Sequence, residues 1–404
     1  MVRISQAEYR SRLERLESAV SDAELGVFLV SSFDSIYYLT GAGFEPLERP
    51  FFLAVFPRGV QRPTLLVPRL DAEHMEKARE RIDVEIRTYW EYPSPEGRRW
   101  IDGLRGLIGR ASRIGIEPSI RRDIADELRD LTVGVAPLVE GLRLVKSPDE
   151  VAMIRRAASY ADRGVDELLA ASYHGATVAE GFARSGALSR AIMSEVEDWE
   201  FLTTKVLMAT WAAPRSVQPH SIPDLLNDRL REGPHVALSF LRVNGYAAES
   251  ERTFFTAPPS REAKRAFRAM EEAREIAFRM IRPGVACEEL DSSVNEFLRA
   301  EGYAGEECRL HRTGHGIGLG NHEAPWVAEG STDVLAENMV ISVEPGIYLK
   351  GEGGFRHSDT VLVTRDGCEC LTRCPLDIGS LTIRMRKAVD PSQGCVDPTG
   401  PDVG

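Results

Sequence analysis

A two-residue turn is the feature that most constrains how this chain folds. Asn244-Gly245 separates two runs rich in strand-forming residues in VALSFLRVNGYAAESERTFF, and this pair favours a type I′ hairpin turn. The register that follows places Leu238 opposite Glu251 and Phe240 opposite Glu249. Alternate residues of a strand share a face, so the sequence predicts two carboxylates facing two apolar side chains. An exposed sheet face with hydrated glutamates is the plain alternative.

Histidines and a further carboxylate follow in the second half of the chain. HRTGHGIGLGNHEAP holds three of the eight histidines among glycines, which allow a ligand to approach the backbone closely. Glu344 ends an apolar run just before Pro-Gly, where a buried carboxylate is costly unless it is paired or ligating. His220 lies between two prolines, and the string GGFRHSDTVLV precedes a strand. A surface loop with incidental histidines is the plain alternative for the first string.

Apolar periodicity divides the chain into two domains and a tail. Alternating short strands and helices up to about residue 140 favour a sheet covered by helices. Ser147, Pro148 and Glu150 then form a helix start signal. The predicted units are residues 1–140, 141–378 and a flexible tail 379–404. The predicted helices are 7–20, 72–80, 99–109, 147–170, 178–195, 260–281 and 287–302, and the predicted strands include 26–30, 51–56, 64–67 and 113–117.

Charge and composition exclude several classes of protein. The net charge of −12 argues against general affinity for nucleic acid or for an anionic membrane. No run of 18 apolar residues exists, and the N-terminus has no apolar signal core. Six cysteines in 404 residues do not make a disulfide framework. We therefore expect a cytoplasmic protein whose partners are small molecules.

Taken together, the hairpin and the four segments described after it resemble the pita-bread metallopeptidases (family M24), which include prolidase, aminopeptidase P and creatinase. GHGIGLGNHEAP, VEPGIY and FRHSDTVLV are close to that family's central motifs, and SIYYLTG and LRLVKSPDE are similar to its N-terminal domain. The resemblance implies an α+β fold. A smaller α/β creatinase-like domain would precede a pita-bread domain of two pseudo-symmetric halves. It also implies a homodimer in which each N-terminal domain reaches the neighbouring active site.

The resemblance also implies a metal centre, but this sequence departs from the family pattern at several of its ligand positions. Peptidases of the family hold two ions with two Asp, one His and two Glu. The matching positions here are Leu238, Glu249, His315, Glu344 and Ser358. Leucine cannot ligate a metal and serine is a poor ligand, so we expect no metal cofactor. The alternative is one Zn²⁺ or Mn²⁺ ion held by Glu249, His315 and Glu344.

Creatinase is the branch of the family that works without metal, and three of its positions match. His220 corresponds to its proton-transfer histidine, and Glu251 and Glu344 correspond to the glutamates that grip a guanidinium. Arg49, in an Arg-Pro pair, corresponds to the residue lent by the partner subunit. Its carboxylate clamp does not match, because Trp326 and Ser358 replace an Arg and a His.

Three carboxylates in one cleft require a cation or raised pKa values. We therefore expect a substrate that presents a cationic or N–H-rich group to Glu251 and Glu344. The predicted function is metal-independent, creatinase-like hydrolysis of a C–N bond in a small amide, amidine or guanidino compound. The predicted catalytic residues are His220, His322, Glu251 and Glu344; the predicted substrate-binding residues are Arg49, Leu238, Phe240, Glu249, His315, Trp326, His357 and Ser358.

Three alternatives stay open. The first is a mononuclear-metal Xaa-Pro dipeptidase or aminopeptidase acting on a dipeptide-like substrate. The second is a pita-bread pseudoenzyme that binds a peptide or protein, and the third is lyase-type chemistry on a small metabolite. Metal content and sensitivity to a chelator separate the first alternative from the main prediction.

Overall fold

The first part of the chain forms a mixed sheet with helices on both faces. The computed structural model describes residues 2–91, 93–109, 111 and 113–383. The six strands lie in the order β4-β3-β2-β1-β5-β6. The strands are β1 (Val27–Val30), β2 (Phe52–Val55), β3 (Thr64–Pro68), β4 (Glu85–Tyr89), β5 (Ile114–Ile116) and β6 (Val133–Val135). The helices are α1 (Gln6–Asp22), α2 (Phe33–Thr40), α3 (Ala72–Met75), α4 (Trp100–Ile108), α5 (Arg122–Glu127) and α6 (Leu138–Arg143).

Burial on both faces explains why the strands of this sheet read as continuous apolar runs. In β1, Phe28 and Val30 join the large core shared with the rest of the protein. Val27 and Leu29 point to the other face and join a smaller core under α4. Helical spacing in α1 buries Tyr9, Leu13, Leu16 and Val20 against the large core.

The second part of the chain consists of two halves of the same kind, each with helices packed on an antiparallel sheet. One sheet has the order β7-β8-β9, and the other has the order β11-β10-β12-β15-β16, with β13-β14 as a separate pair. The first half contains α7 (Pro148–Ala171), α8 (Val178–Phe182), α9 (Ser185–Glu195), β7 (Lys205–Trp211), β8 (His235–Val243) and β9 (Tyr246–Phe254). The second half contains α10 (Arg261–Met280), α11 (Cys287–Ala300), β10 (Gly314–Gly316), β11 (Glu323–Val327), β12 (Val340–Val343), β13 (Gly346–Leu349), β14 (Gly353–Arg356), β15 (Asp359–Thr364) and β16 (Gly367–Cys370).

The local signals that mark α7 and the central hairpin act as expected. The Ser147 side chain accepts a hydrogen bond from the Glu150 amide, which completes a capping box. Asn244 and Gly245 both have positive φ, as a type I′ turn requires. The predicted register of β8 and β9 is confirmed, with Leu238 opposite Glu251.

Two predicted helices differ from the structure. The segment predicted as one helix over 178–195 is divided into α8 and α9, because the chain turns between Phe182 and Ser185. The helix predicted over 72–80 is a single α-turn, α3, followed by a 3₁₀ turn over 76–78. Periodicity cannot distinguish a continuous helix from two short ones whose apolar faces coincide.

One bridge joins the two halves at the centre of the molecule. The Glu251 amide donates to the Ser358 carbonyl at 3.0 Å, and the Ser358 amide donates back to the Glu251 carbonyl at 3.1 Å. Asp359 follows in β15, fully buried between Arg252 and Arg274 at 2.7 Å from each. This junction brings the carboxylates of β9 to the face where the second half carries its histidines.

Among the described residues, no helix is both long and apolar enough to cross a bilayer. Of the predicted tail 379–404, residues 379–383 are described, and the Ile383 amide donates a hydrogen bond to the Phe255 carbonyl. The remainder of that prediction, residues 384–404, lies outside the described residues.

Candidate active site

Two buried carboxylates form one wall of the site. Glu249 and Glu251 of β9 are 2% and 4% exposed, and each has an apolar cross-strand neighbour, Phe240 or Leu238. Leu238 packs with Trp211 in a small apolar cluster. The predicted alternative of an exposed sheet face does not hold, since burial at this level obliges each carboxylate to find a partner.

Glycines on both sides of His315 allow the second half to approach this wall closely. A Cβ at Gly314 would lie 2.1 Å from the Ser342 carbonyl oxygen. A Cβ at Gly316 would lie 2.2 Å from the Ala324 carbonyl oxygen. No side chain fits at either position, so the short strand β10 can pair on both edges only with glycine there.

The two ring nitrogens of His315 have different surroundings. Nδ1 lies 3.1 Å from the Gly316 carbonyl oxygen and donates its proton there. Nε2 lies 3.2 Å from Glu344 Oε1 and 3.7 Å from Glu249 Oε1, yet it is buried without a hydrogen-bond partner among the described residues. An Nδ1–H held by a backbone carbonyl, with Nε2 directed toward carboxylates, is the arrangement that a metal-ligating histidine adopts.

Burial and the charges of neighbouring groups together shift the pKa of His315, Glu249 and Glu344. Burial raises the pKa of Glu249 to about 7, against the lowering effect of His315. Burial alone would lower the pKa of His315, but Glu249 and Glu344 raise it to about 9. Burial opposes the shift at Glu344 too, and His315 nevertheless holds the pKa of Glu344 far below its usual range. A positive charge near these buried carboxylates therefore stabilises the cluster strongly.

Two exposed histidines stand at the mouth of the cleft. The ring of His322 lies 3.9 Å from that of His315, and the ring of His220 lies 6.4 Å from that of His322. Phe240 meets His322 edge-on at 5.9 Å. Burial, and then His315, lower the pKa of His322 to about 4, so its ring is neutral at pH 7. The structure thus brings His220, from a distant segment of the chain, close to the neighbouring His315 and His322.

These side chains form a candidate metal site. One ligand atom each from Glu249, His315 and His322 lies within 4.8 Å of the others. One carboxylate and two imidazoles suit Zn²⁺ and related ions, and the unpartnered Nε2 of His315 shows that the residues present fit one ion. The set predicted from the sequence had Glu344 where the geometry has His322; Glu344 remains next to His315.

The sequence did not predict the role of Arg356. Its Nε donates to Glu251 Oε2 in a short, fully buried ion pair. The expectation that a substrate would supply the cation for Glu251 is therefore corrected, since the protein supplies it. Arg356 was visible only as part of the polar string FRHSD, where spacing alone could not show that it pairs 105 residues away.

A second missed cluster holds the loop that carries His322. Glu323 pairs with Arg143 at 2.5 Å and with Lys146 at 3.1 Å, and it accepts a hydrogen bond from the Gly320 amide. Arg143 and Lys146 come from the connection between the two domains. No clear signal in the sequence indicated this cluster, because Glu140, Asp149 and Glu150 are nearer acidic neighbours of the basic pair in LRLVKS.

Other predicted binding residues divide into those near the cleft and those away from it. Ser358 Oγ donates to Glu249 Oε1 at 2.8 Å, so it lies in the cluster. His357 is fully buried, accepts from the Thr253 amide and packs on Phe267, so the prediction that it binds substrate is corrected. Arg49 lies in the N-terminal domain, 3.8 Å from Asp71, and not in this chain's own site.

A cavity of about 680 Å³ opens beside His322, between the two domains. Its walls include Trp326 and His322 on one side and Phe33, Phe44 and Glu140 on the other. This volume is in the range of small-molecule sites. The cleft can therefore admit a ligand that extends from the histidines toward the N-terminal domain.

Comparison with known proteins gives consistent matches over both domains. The model of Metallopeptidase family M24 matches residues 152–365, and that of the Creatinase/Prolidase N-terminal domain matches residues 12–145. The probable dipeptidase PepE of Mycobacterium tuberculosis is 29% identical over 378 residues, 92% of this chain and 96% of the relative. The Xaa-Pro dipeptidase of Lactobacillus helveticus is 27% identical over 388 residues, 92% of this chain and 99% of the relative.

A solved structure confirms the predicted architecture. The crystal structure of dipeptidase PepE from Mycobacterium ulcerans superposes with a TM-score of 0.79 at 26% identity, covering 95% of this chain and all of that one. The creatinase-like N-terminal domain and the C-terminal pita-bread domain are thus both present.

The expectation of no metal cofactor is wrong. The family whose model matches the catalytic half is one of metallopeptidases, and Glu249, His315 and His322 gather as a candidate metal site. The sequence argument counted lost ligands and could not see that His322 comes within reach of the site. With a family model covering more than half of the chain and relatives aligned along nearly all of it, this protein belongs to metallopeptidase family M24.

Proposed function

We propose that the protein is a metal-dependent dipeptidase that hydrolyses the bond before proline in Xaa-Pro dipeptides. The observation that carries the proposal is the convergence of Glu249, His315 and His322 around one point. The relatives support the substrate class, since they include a probable dipeptidase and an Xaa-Pro dipeptidase.

The metal-binding role falls to three side chains, with a fourth in support. Glu249, His315 and His322 would hold a divalent ion, and Glu344 lies next to His315. When bound, the ion supplies Lewis-acid polarisation of the scissile carbonyl. The hydrogen bond from His315 Nδ1 to the Gly316 carbonyl fixes the ring so that Nε2 is directed into the site, where a bound ion would displace the Nε2 proton.

The remaining residues of the cleft bind the substrate and move protons. His220 is exposed beside His322 and can transfer a proton to the departing proline nitrogen. Phe240, edge-on to His322, and Trp326, in the cavity wall, offer apolar surfaces to a proline ring. Because the pyrrolidine ring is apolar and rigid, such surfaces favour proline over a flexible leaving residue.

The test is hydrolysis of Ala-Pro and of Ala-Ala, followed as release of free amino acids. We expect Ala-Pro to be cleaved at least ten times faster, activity to disappear after EDTA treatment, and MnCl₂ to restore it. His315→Ala should reduce kcat/KM for Ala-Pro by about a thousandfold or more, since it removes a metal ligand in a catalytic unit.

Exposed His174 offers a matched control, because His174→Ala makes the same substitution on the surface. Turnover of Ala-Pro that resists the chelator would contradict the proposal. A folded, metal-loaded protein that cleaves neither dipeptide would instead favour the pseudoenzyme alternative.

A further inference from the structure

A fixed cation lies at the centre of the carboxylate cluster. The guanidinium of Arg356 is 3% exposed and is held on every side. Nε donates to Glu251, one terminal nitrogen donates to the Tyr348 hydroxyl at 3.3 Å, and the other donates to the Pro219 carbonyl at 3.4 Å. The guanidinium also lies over the ring of Trp211, 5.1 Å from its centroid. Arg356 is therefore a permanent part of the site and not a mobile surface charge.

The register of the hairpin places the Arg356–Glu251 pair beside Leu238, the first position that departs from the family pattern. Leu238 occupies the position at which the resemblance implies an aspartate ligand. Its cross-strand partner is Glu251, and side chains paired in this way have Cβ atoms about 5 Å apart. A carboxylate is thus still present in this corner, but it comes from the opposite strand and is already neutralised by Arg356.

Ser358, the second position that departs from the family pattern, also disfavours a second ion. Ser358 stands where the resemblance implies a glutamate that bridges two ions. Its hydroxyl donates a hydrogen bond of 2.8 Å to Glu249 Oε1. A neutral hydroxyl therefore stands where a second ion would need a bridging carboxylate, and it already donates to Glu249.

The charges of the site balance with one ion and not with two. Glu249, Glu251 and Glu344 carry three negative charges when ionised, and Arg356 carries one positive charge. One divalent ion completes neutrality, whereas two would leave an excess of two positive charges in a buried site. Uncompensated buried charge is strongly unfavourable.

We propose that the Arg356 guanidinium, paired with Glu251, replaces one of the two metal ions that the family pattern implies, so that the site holds a single ion. This inference rests on the metal-binding part of the proposed function and concerns only the number of ions. It does not depend on which peptide is cleaved.

The experiment counts the ions directly. Protein stripped with EDTA is titrated with MnCl₂ by isothermal calorimetry, and bound Mn is counted by elemental mass spectrometry. We expect wild type to saturate at one ion per chain, with an EPR spectrum of isolated Mn²⁺. Two ions per chain, or the spectrum of an exchange-coupled pair, would overturn the inference.

Variants test whether Arg356 is the reason. Arg356→Met should raise the capacity from one ion to two, because it leaves a carboxylate uncompensated, whereas Arg356→Lys should stay at one. Arg279→Met is the control, since Arg279 pairs with Glu272 on the exposed face of α10, away from the cluster, and it should also stay at one.

A folded Arg356→Met variant that still binds one ion would also overturn the role of Arg356. If that variant fails to fold, the wild-type count and EPR spectrum still decide the number of ions. If the protein binds one ion but does not hydrolyse Ala-Pro, this inference holds and the proposed function is wrong. If the protein binds two ions and hydrolyses Ala-Pro, the proposed function holds and this inference is wrong.

Discussion

At the scale of single residues, buried ion pairs hold the site together. Asp359 lies between Arg252 and Arg274 and also accepts a hydrogen bond from Thr372. Burial raises the pKa of Asp359, but the two arginines outweigh it and hold that pKa far below its ordinary value. Because Ser358 precedes Asp359 directly, this pair of charge contacts fixes the junction of the two halves.

Asp359→Asn keeps the shape of the side chain and removes its charge, leaving Arg274 with only the half-exposed Glu275 and Arg252 without its carboxylate partner. We expect the free energy of unfolding to fall by about 3–5 kcal/mol. Urea unfolding at pH 7 measures this loss. The exposed pair of Arg122 and Asp126 provides the control, since Asp126→Asn should cost less than about 1 kcal/mol.

The same measurement against pH gives an independent check. Since the pKa of Asp359 is lowered in the folded state, its contribution is present above pH 4 and is lost as the pH falls below the ordinary value near 3.8. The difference between wild type and Asp359→Asn should therefore shrink as the pH decreases from 4. A difference that grows in acid would contradict the assignment.

At the scale of secondary-structure elements, the hairpin was predictable and the ion pairs were not. Asn244-Gly245 determines the register of β8 and β9 locally, so the positions of Glu249 and Glu251 followed from the sequence. The pair of Arg356 with Glu251 depends on how separate halves dock. No periodicity within either element contains that information, and the same holds for Glu323 with Lys146.

Strand β10 offers a test at this scale. Gly316→Ala places a methyl group 2.2 Å from the Ala324 carbonyl oxygen, so β10 and β11 must separate and His315 must shift. We expect a loss of about 1–3 kcal/mol in stability and a weaker affinity for Mn²⁺. Calorimetric unfolding and Mn²⁺ titration measure the two effects.

Gly367→Ala is the control for this substitution, because a Cβ at Gly367 meets no atom within 4 Å and its φ is not in the left-handed region. If Gly316→Ala bound Mn²⁺ as tightly as wild type, close packing around β10 would not be what positions His315.

At the scale of the whole molecule, the predicted homodimer remains a prediction that exposed apolar side chains support. Ile222 and Leu226 are 85% and 83% exposed and follow His220 closely in the chain. Exposed apolar side chains grouped beside a cleft are typical of protein interfaces. A partner subunit over this loop would also bring its Arg49 toward the site, as the resemblance implies.

Light scattering coupled to size exclusion should give twice the mass of one chain. The double variant Ile222→Glu, Leu226→Glu should shift this value toward one chain, because two charges would be buried in the interface. Val60→Glu changes another exposed apolar residue, in the N-terminal domain, and should leave the mass unchanged. A monomeric wild type would contradict the prediction.

The pairing of Leu238 with Glu251 has a consequence for how such proteins are classified. Leu238 stands where the resemblance implies an aspartate, and a carboxylate stands directly opposite it as Glu251, in the register that the turn sets. An inventory that reads one alignment column at a time records a lost ligand at the first position and an irrelevant change at the second. When the two columns are read as one unit, a chain that keeps a carboxylate in the site from the opposite strand can be distinguished from a chain that has lost its metal site.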